Sequence, residues 1–185
     1  MNRIHNILCR SDWWRAKAHG QLMPWVVGDR PLEGRTLEIG PGPGVTTDWL
    51  AGRAGSLTCA EVDPVLADRL RRRLPEVEVR TADARHLPFA DDTFDSVVCC
   101  TMLHHVPSAG AQDELLAEAA RVLRPGGRLL GSDSRSSLRF RVLHVRDTCV
   151  PIDPSTLPGR LAAAGFVDVE VRPAGQTTRF RATAA

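Results

Sequence analysis

A chain of 185 residues that is 43% hydrophobic can bury one good core and reads most simply as a single domain. Its formal net charge of +2 exerts no strong pull toward nucleic acid or an anionic membrane. Tyrosine is absent and Lys17 is the only lysine, so a catalytic tyrosine is excluded and a catalytic lysine would have to be Lys17. We read the arginine bias behind that count as the genome composition of a GC-rich bacterium.

The N-terminal "MNRIHNILCRSDWW" carries polar residues throughout and lacks the long apolar core of a secretory signal. No apolar run approaches the ~18 residues of a membrane span, and a cytoplasmic protein is expected. Residues 1–30, with Trp13, Trp14 and Trp25, are predicted to form a helical cap ahead of a main body spanning 31–185. From there short apolar runs alternate with amphipathic ones. Strands are predicted at 36–39, 56–62, 77–81, 94–100, 128–132, 167–171 and 178–182, and helices at 45–51, 64–74, 111–123 and 157–164. "RPGG" is expected to stop the third of these helices at Pro125 and Gly126. Strands separated by helices imply right-handed crossovers, hence an α/β, doubly wound, mostly parallel seven-stranded sheet. The irregular stretch 133–153 and the cap are both expected to cover the ligand crevice at the carboxyl ends of the strands.

The five cysteines are an odd count with no CxxC pair and no metal-ligand spacing, which argues against a disulfide framework or a zinc site, and no metal is expected. Cys99 and Cys100 lie in an apolar run and read as small core residues. The arginines of "RLRRRL" (Arg69 and 71–73) read as a solvated helix face.

Residues 37–47, "LEIGPGPGVTT", place a glycine turn between a strand and a helix, where a ligand commonly lies against the backbone. A dinucleotide fingerprint needs a third glycine three residues after the second; counted from Gly40 and Gly42, that position is Val45. Pro41 and Pro43 also delete two amide donors, which makes the loop a poor cradle for a diphosphate. A P-loop is excluded because no lysine follows the glycines.

The same stretch resembles motif I of the class I S-adenosylmethionine-dependent methyltransferases, an acid followed by GxGxG. "CAEVDP", "TADARHLPFADDTFDSVVC", "LHHV" and "RVLRPGGRLL" follow in that family's order and spacing. The likeness covers residues 36–132 well and "LPGRLAAAGFVDVEV" moderately. It implies a Rossmann-like fold, S-adenosylmethionine as cofactor and methyl transfer to a small-molecule acceptor. Glu38 is expected on the ammonium side of the cofactor, directly or through water, with Gly40, Gly42 and Gly44 allowing close backbone approach. Glu61 and Asp63 both stand where a ribose acid belongs. Asp63 before Pro64 makes a strong helix start, which leaves Glu61 for the ribose, with Val62 beside it. Asp83 is expected to accept from the adenine amino group, Ala84 to offer its amide, and Cys100 to complete the cofactor-binding set.

On the acceptor side, a general base is needed only if the nucleophile arrives protonated. His104 and His105 replace the "N/D-P-P-Y" signature of the enzymes that methylate exocyclic nitrogens, so an RNA acceptor is not expected. His105 is the first choice as base, with His104 and His144 as alternatives. His144 and Asp147, three apart, would share a face if that stretch is helical. Two readings without methyl transfer stand beside this one: a protein that only binds the cofactor, and a cyclase using the sulfonium charge.

Overall fold

The computed structural model describes residues 7–145 and 147–185, apart from the side chains of Arg139 and Leu143. The first six residues of the expected cap lie outside the described residues. The cap continues as α1 (Asp12–Lys17), a π-helical turn (Ala18–Leu22) and α2 (Met23–Val27). Then follow β1 (Leu32–Ile39), α3 (Val45–Ala51), β2 (Ala54–Glu61), α4 (Pro64–Arg73), β3 (Glu78–Thr81), β4 (Phe94–Cys100) and a 3-10 turn (Leu103–His105). The chain closes with α5 (Ala109–Val122), β5 (Leu123–Ser134), α6 (Leu138–Leu143), α7 (Leu157–Ala163), β6 (Phe166–Ala174) and β7 (Thr177–Ala184).

Seven strands form one sheet in the order β3-β2-β1-β4-β5-β7-β6. The first five are parallel, as crossover helices require. β6 and β7 have only a short turn at Gly175 between them, so they pair antiparallel, and β7 enters next to β5. The order reverses between β1 and β4, and their carboxyl ends therefore open a crevice at the switch point.

Local chemistry sets the helix starts. Asp63 accepts from the amides of Val65 (2.8 Å) and Leu66 (3.3 Å) with Pro64 in the first turn of α4. Ser108 caps α5 through the amide of Ala111 at 3.1 Å. The sheet separates two cores because successive β4 residues alternate faces. Val97 and Cys99 pack with Leu115, Leu116, Ala119 and Leu161, whereas Val98 and Cys100 pack with Met23, Val26, Trp49 and Leu70. Burial raises both β4 thiols, that of Cys100 to about 12, so they stay protonated.

Two local expectations are corrected. "RPGG" does not separate α5 from β5: Leu123 is already extended and pairs with Phe94, and the ladder resumes after a register shift at Ser96–Arg128. Nor is the α4 arginine run a purely solvated face. The Arg71 Nε donates to the Val79 carbonyl at 2.9 Å, and Arg73 donates to the carbonyls of Pro43 and Gly44, both at 3.1 Å.

Candidate cofactor and acceptor site

A cleft of about 400 Å³ opens at the switch point, walled by the glycine loop, the ends of β2 and β4, and both covering segments. Cys9 and Trp14 reach it from the N-terminal side, Asp147 and Thr148 from the stretch after β5. Of the residues singled out in the sequence, Gly40, Gly42, Glu61, Val62, Cys100 and His105 line this cleft. Glu38, Gly44, Asp83, Ala84, His104 and His144 do not form its wall.

The three glycines serve different needs. Gly42 has φ +54°, and a Cβ built on it would meet nothing within 4 Å; its backbone faces open cleft. At Gly40 a Cβ would press the Met102 side chain at 3.0 Å, and at Gly44 it would strike Leu70 Cδ1 at 2.6 Å. Every N–H of the loop is already directed. Gly40 donates to the Ala60 carbonyl and Gly44 to that of Pro41, each at 2.9 Å, while Gly42 donates to Glu61 Oε2 at 2.9 Å. With Pro41 and Pro43 lacking donors, the loop offers a diphosphate no nest of amides.

Glu61 is buried at the end of β2, and its other oxygen accepts from the Asp63 amide at 3.0 Å. Loss of solvent raises its carboxyl, opposed by the amides of Asp63 and Gly42. Glu38 sits beneath α3 rather than on the cleft. It accepts from the hydroxyls of Thr46 (2.5 Å) and Thr47 (2.6 Å) and faces the Cys59 thiol at 3.5 Å. It thereby positions Thr46, which does line the cleft. Asp83 is held by Arg85, whose Nη2 approaches Oδ2 at 2.6 Å, and it also accepts from the Arg85 amide at 3.0 Å. The guanidinium lowers the Asp83 carboxyl.

On the opposite wall Thr101 follows β4 with φ +53°, a conformation that costs a β-branched residue about 1–3 kcal/mol. It brings Met102 and His105 to the cleft. His104, behind them, is buried with Nδ1 2.5 Å from Oδ1 of Asp133, itself fully buried at the end of β5. The Nδ1 of His144 lies 2.7 Å from the Phe140 carbonyl. Desolvation lowers its pKa, so the neutral ring prevails at neutral pH. Ring centroids of His104 stand 4.2 Å from His105 and 4.9 Å from His144. The helix ends before Asp147, so His144 and Asp147 do not share a helical face; Asp133 is a carboxylate that orients an imidazole here, that of His104.

Sequence reasoning missed Asp133, Arg73 and Gln112. Gln112 Nε2 donates to the carbonyls of Leu103 (3.0 Å) and Val150 (2.8 Å), tying the histidine turn to the covering stretch. Its one available signal was an amide on the apolar face of α5.

A family profile described as a methyltransferase domain matches residues 37–131. The chain belongs to the class I S-adenosylmethionine-dependent methyltransferases. It is 40% identical over 106 residues to the methyltransferase GfsG of Streptomyces halstedii, covering 54% of this chain and 37% of that protein. The chain spans between about a third and a half of the length of the curated relatives it matches. Among solved structures it resembles the N-methyltransferase NodS of Bradyrhizobium japonicum, with TM-score 0.71, 20% identity and coverage of 94% and 98% of the two chains. The CurJ carbon methyltransferase gives TM-score 0.70 at 19% identity, with coverage of 92% and 54%. At those identities the likeness is one of fold.

Proposed function

We propose that this methyltransferase domain transfers a methyl group from S-adenosylmethionine to a small-molecule acceptor. The supporting observation is the open backbone face of Gly42 opposite the Glu61 carboxylate at the switch point. Glu61 accepts from the ribose diol, and Val62, largely exposed beside it, gives the adenine an apolar surface. Gly40 and Gly42 admit the cofactor against the backbone, with Gly44 shaping the turn and Cys100 flooring the cleft. Glu38 acts on the amino-acid end through Thr46. Asp83 orders the turn that presents the Ala84 amide to the adenine.

When bound, the cofactor supplies a carbon already activated by the sulfonium, so the protein mainly aligns nucleophile and methyl. His105 takes the proton of a hydroxyl acceptor as its oxygen attacks; His104 and His144 are the other candidates for that role. An acceptor of low molecular weight agrees with the near-neutral charge and the missing nitrogen-methylation signature.

Methyl-labelled cofactor and a metabolite extract test the proposal, the expected result being label in a small organic product. His105→Ala should lower turnover roughly tenfold or more, with cofactor affinity unchanged and recovery at high pH. Natively folded Gly42→Val should lose cofactor binding, because its branched side chain fills the cleft. Cofactor binding without transfer into any fraction would favour a binding protein or a cyclase.

A further inference from the structure

Three histidines converge beside the cleft from two separated segments. His104 and His105 sit on the turn after β4 and His144 follows α6. One potential ligand nitrogen from each lies within 4.8 Å of the others. We propose that these imidazoles bind one divalent transition-metal ion of the Zn²⁺ kind, with an open coordination position facing the cleft.

The groups behind the rings set their tautomers. A carbonyl only accepts, so the Phe140 oxygen 2.7 Å from His144 Nδ1 keeps the proton on Nδ1 and the lone pair on Nε2. Asp133 acts in the same way on His104. Its carboxylate accepts from the amides of His104 (3.0 Å) and Ser134 (2.5 Å) and lies 2.5 Å from His104 Nδ1. A carboxylate behind His104 and a carbonyl behind His144 are the outer shell that metal-ligating histidines ordinarily have. Imidazole donors suit zinc, copper or nickel rather than magnesium or calcium.

His105 lines the cleft, so the site faces the acceptor on that side. Nitrogens around a tetrahedral zinc at about 2.1 Å stand roughly 3.4 Å apart. The nitrogens therefore need to close by up to about 1.4 Å from the 4.8 Å limit when the ion binds. An acceptor oxygen completing the coordination sphere would lose its proton more readily. A His105 nitrogen committed to the ion could not also take that proton, so the metal-bound and metal-free proteins should differ in pH profile.

The test uses untagged, metal-stripped protein titrated with Co²⁺, read by calorimetry and by its visible spectrum. One ion per chain is expected, with the spectrum of a low-coordinate, nitrogen-ligated site and competition by Zn²⁺. His105→Gln and His144→Gln should each weaken binding at least about tenfold, with native folding checked by circular dichroism. His105 is half-buried and can be replaced without opening the core should the His144 variant fail to fold. Absence of saturable binding, or stoichiometric binding unchanged in His105→Gln, would overturn the site. Cofactor affinity measured on the same stripped protein separates the two proposals: metal binding without cofactor binding removes only the methyltransferase reading, and the converse removes only the metal.

Discussion

Glu61 and Asp63 are two residues apart yet do different work. Both line the cleft, but Asp63 spends its Oδ1 on the amides of Val65 and Leu66, whereas Glu61 accepts from the amides of Gly42 and Asp63. Glu61→Ala should weaken cofactor binding by more than about 1 kcal/mol, the worth of charge-assisted bonds to a diol. Asp63→Ala should lower thermal stability by about 1 kcal/mol while sparing affinity. Calorimetry with thermal melts on both variants checks this, and the reverse pattern would move the ribose acid to Asp63. Glu38 gives a pH dependence. Burial raises its carboxyl in the folded state, opposed by Thr46, Thr47 and Cys59. As pH rises the unfolded chain loses this proton first, so the stability tied to the protonated form is complete below the unfolded value and falls as pH climbs through the folded one. Glu38→Gln cannot titrate. Urea midpoints at about pH 4 and about pH 7 should therefore show the wild type losing ground to the variant at the higher pH. A gap that widens in favour of the wild type would mean that the hydroxyl donors outweigh desolvation.

The elements around the cleft are joined by side chains that satisfy buried backbone groups. The histidine turn and the stretch after α6 meet through Gln112 and through the Val150 amide, which donates to the His104 carbonyl at 2.8 Å. Gln112→Leu removes the side-chain donor of the Val150 carbonyl, at a cost of about 1–3 kcal/mol if it is kept from water, while the Leu103 carbonyl keeps the Val106 amide at 2.9 Å. The local effect should exceed the global one. Amide hydrogen exchange at Val150 should quicken markedly while that of Gly131 in β5 changes only as overall stability does; equal effects at both would show that the cover is not tied at this point. The N-terminal segment is anchored by the same chemistry. His19 Nε2 donates to the Val45 carbonyl at 2.7 Å, and Arg15 pairs with Asp48, which Arg73 also engages.

At the scale of the whole molecule, the parallel sheet is completed by a hairpin that enters backwards. β7 lies beside β5 because Phe180, fully buried, covers Gly131: a Cβ there would come within 2.1 Å of the ring and 2.8 Å of the Cys99 carbonyl. Gly131→Ala should therefore destabilise by about 1–3 kcal/mol or more through overpacking. Adding Phe180→Leu should recover part of that loss in denaturant unfolding. A neutral Gly131→Ala would show that the two strands are not packed this closely.

The alternation of strands and helices, the glycine turn and the Asp63–Pro64 helix start were all legible in the chain, because each depends on neighbours within a few residues: a period of two or 3.6, a positive φ, a cap. The separate surroundings of Asp63, which caps α4, and Glu61, which is buried at the end of β2, were legible for the same reason, since both are set by near neighbours. Strand limits at β5 were misjudged where pairing with β4 overrode the helix-stopping signal of "RPGG". Contacts across the fold were beyond reach. Asp133 meets His104 across 29 residues, Arg73 meets the loop across 30, and Gln112 meets Val150 across 38. No spacing rule encodes such distances, and only the order in which the strands are laid side by side brings those residues together. Local chemistry thus determined the elements and the loop, and tertiary packing decided which histidines meet, what orients them and what lines the cleft.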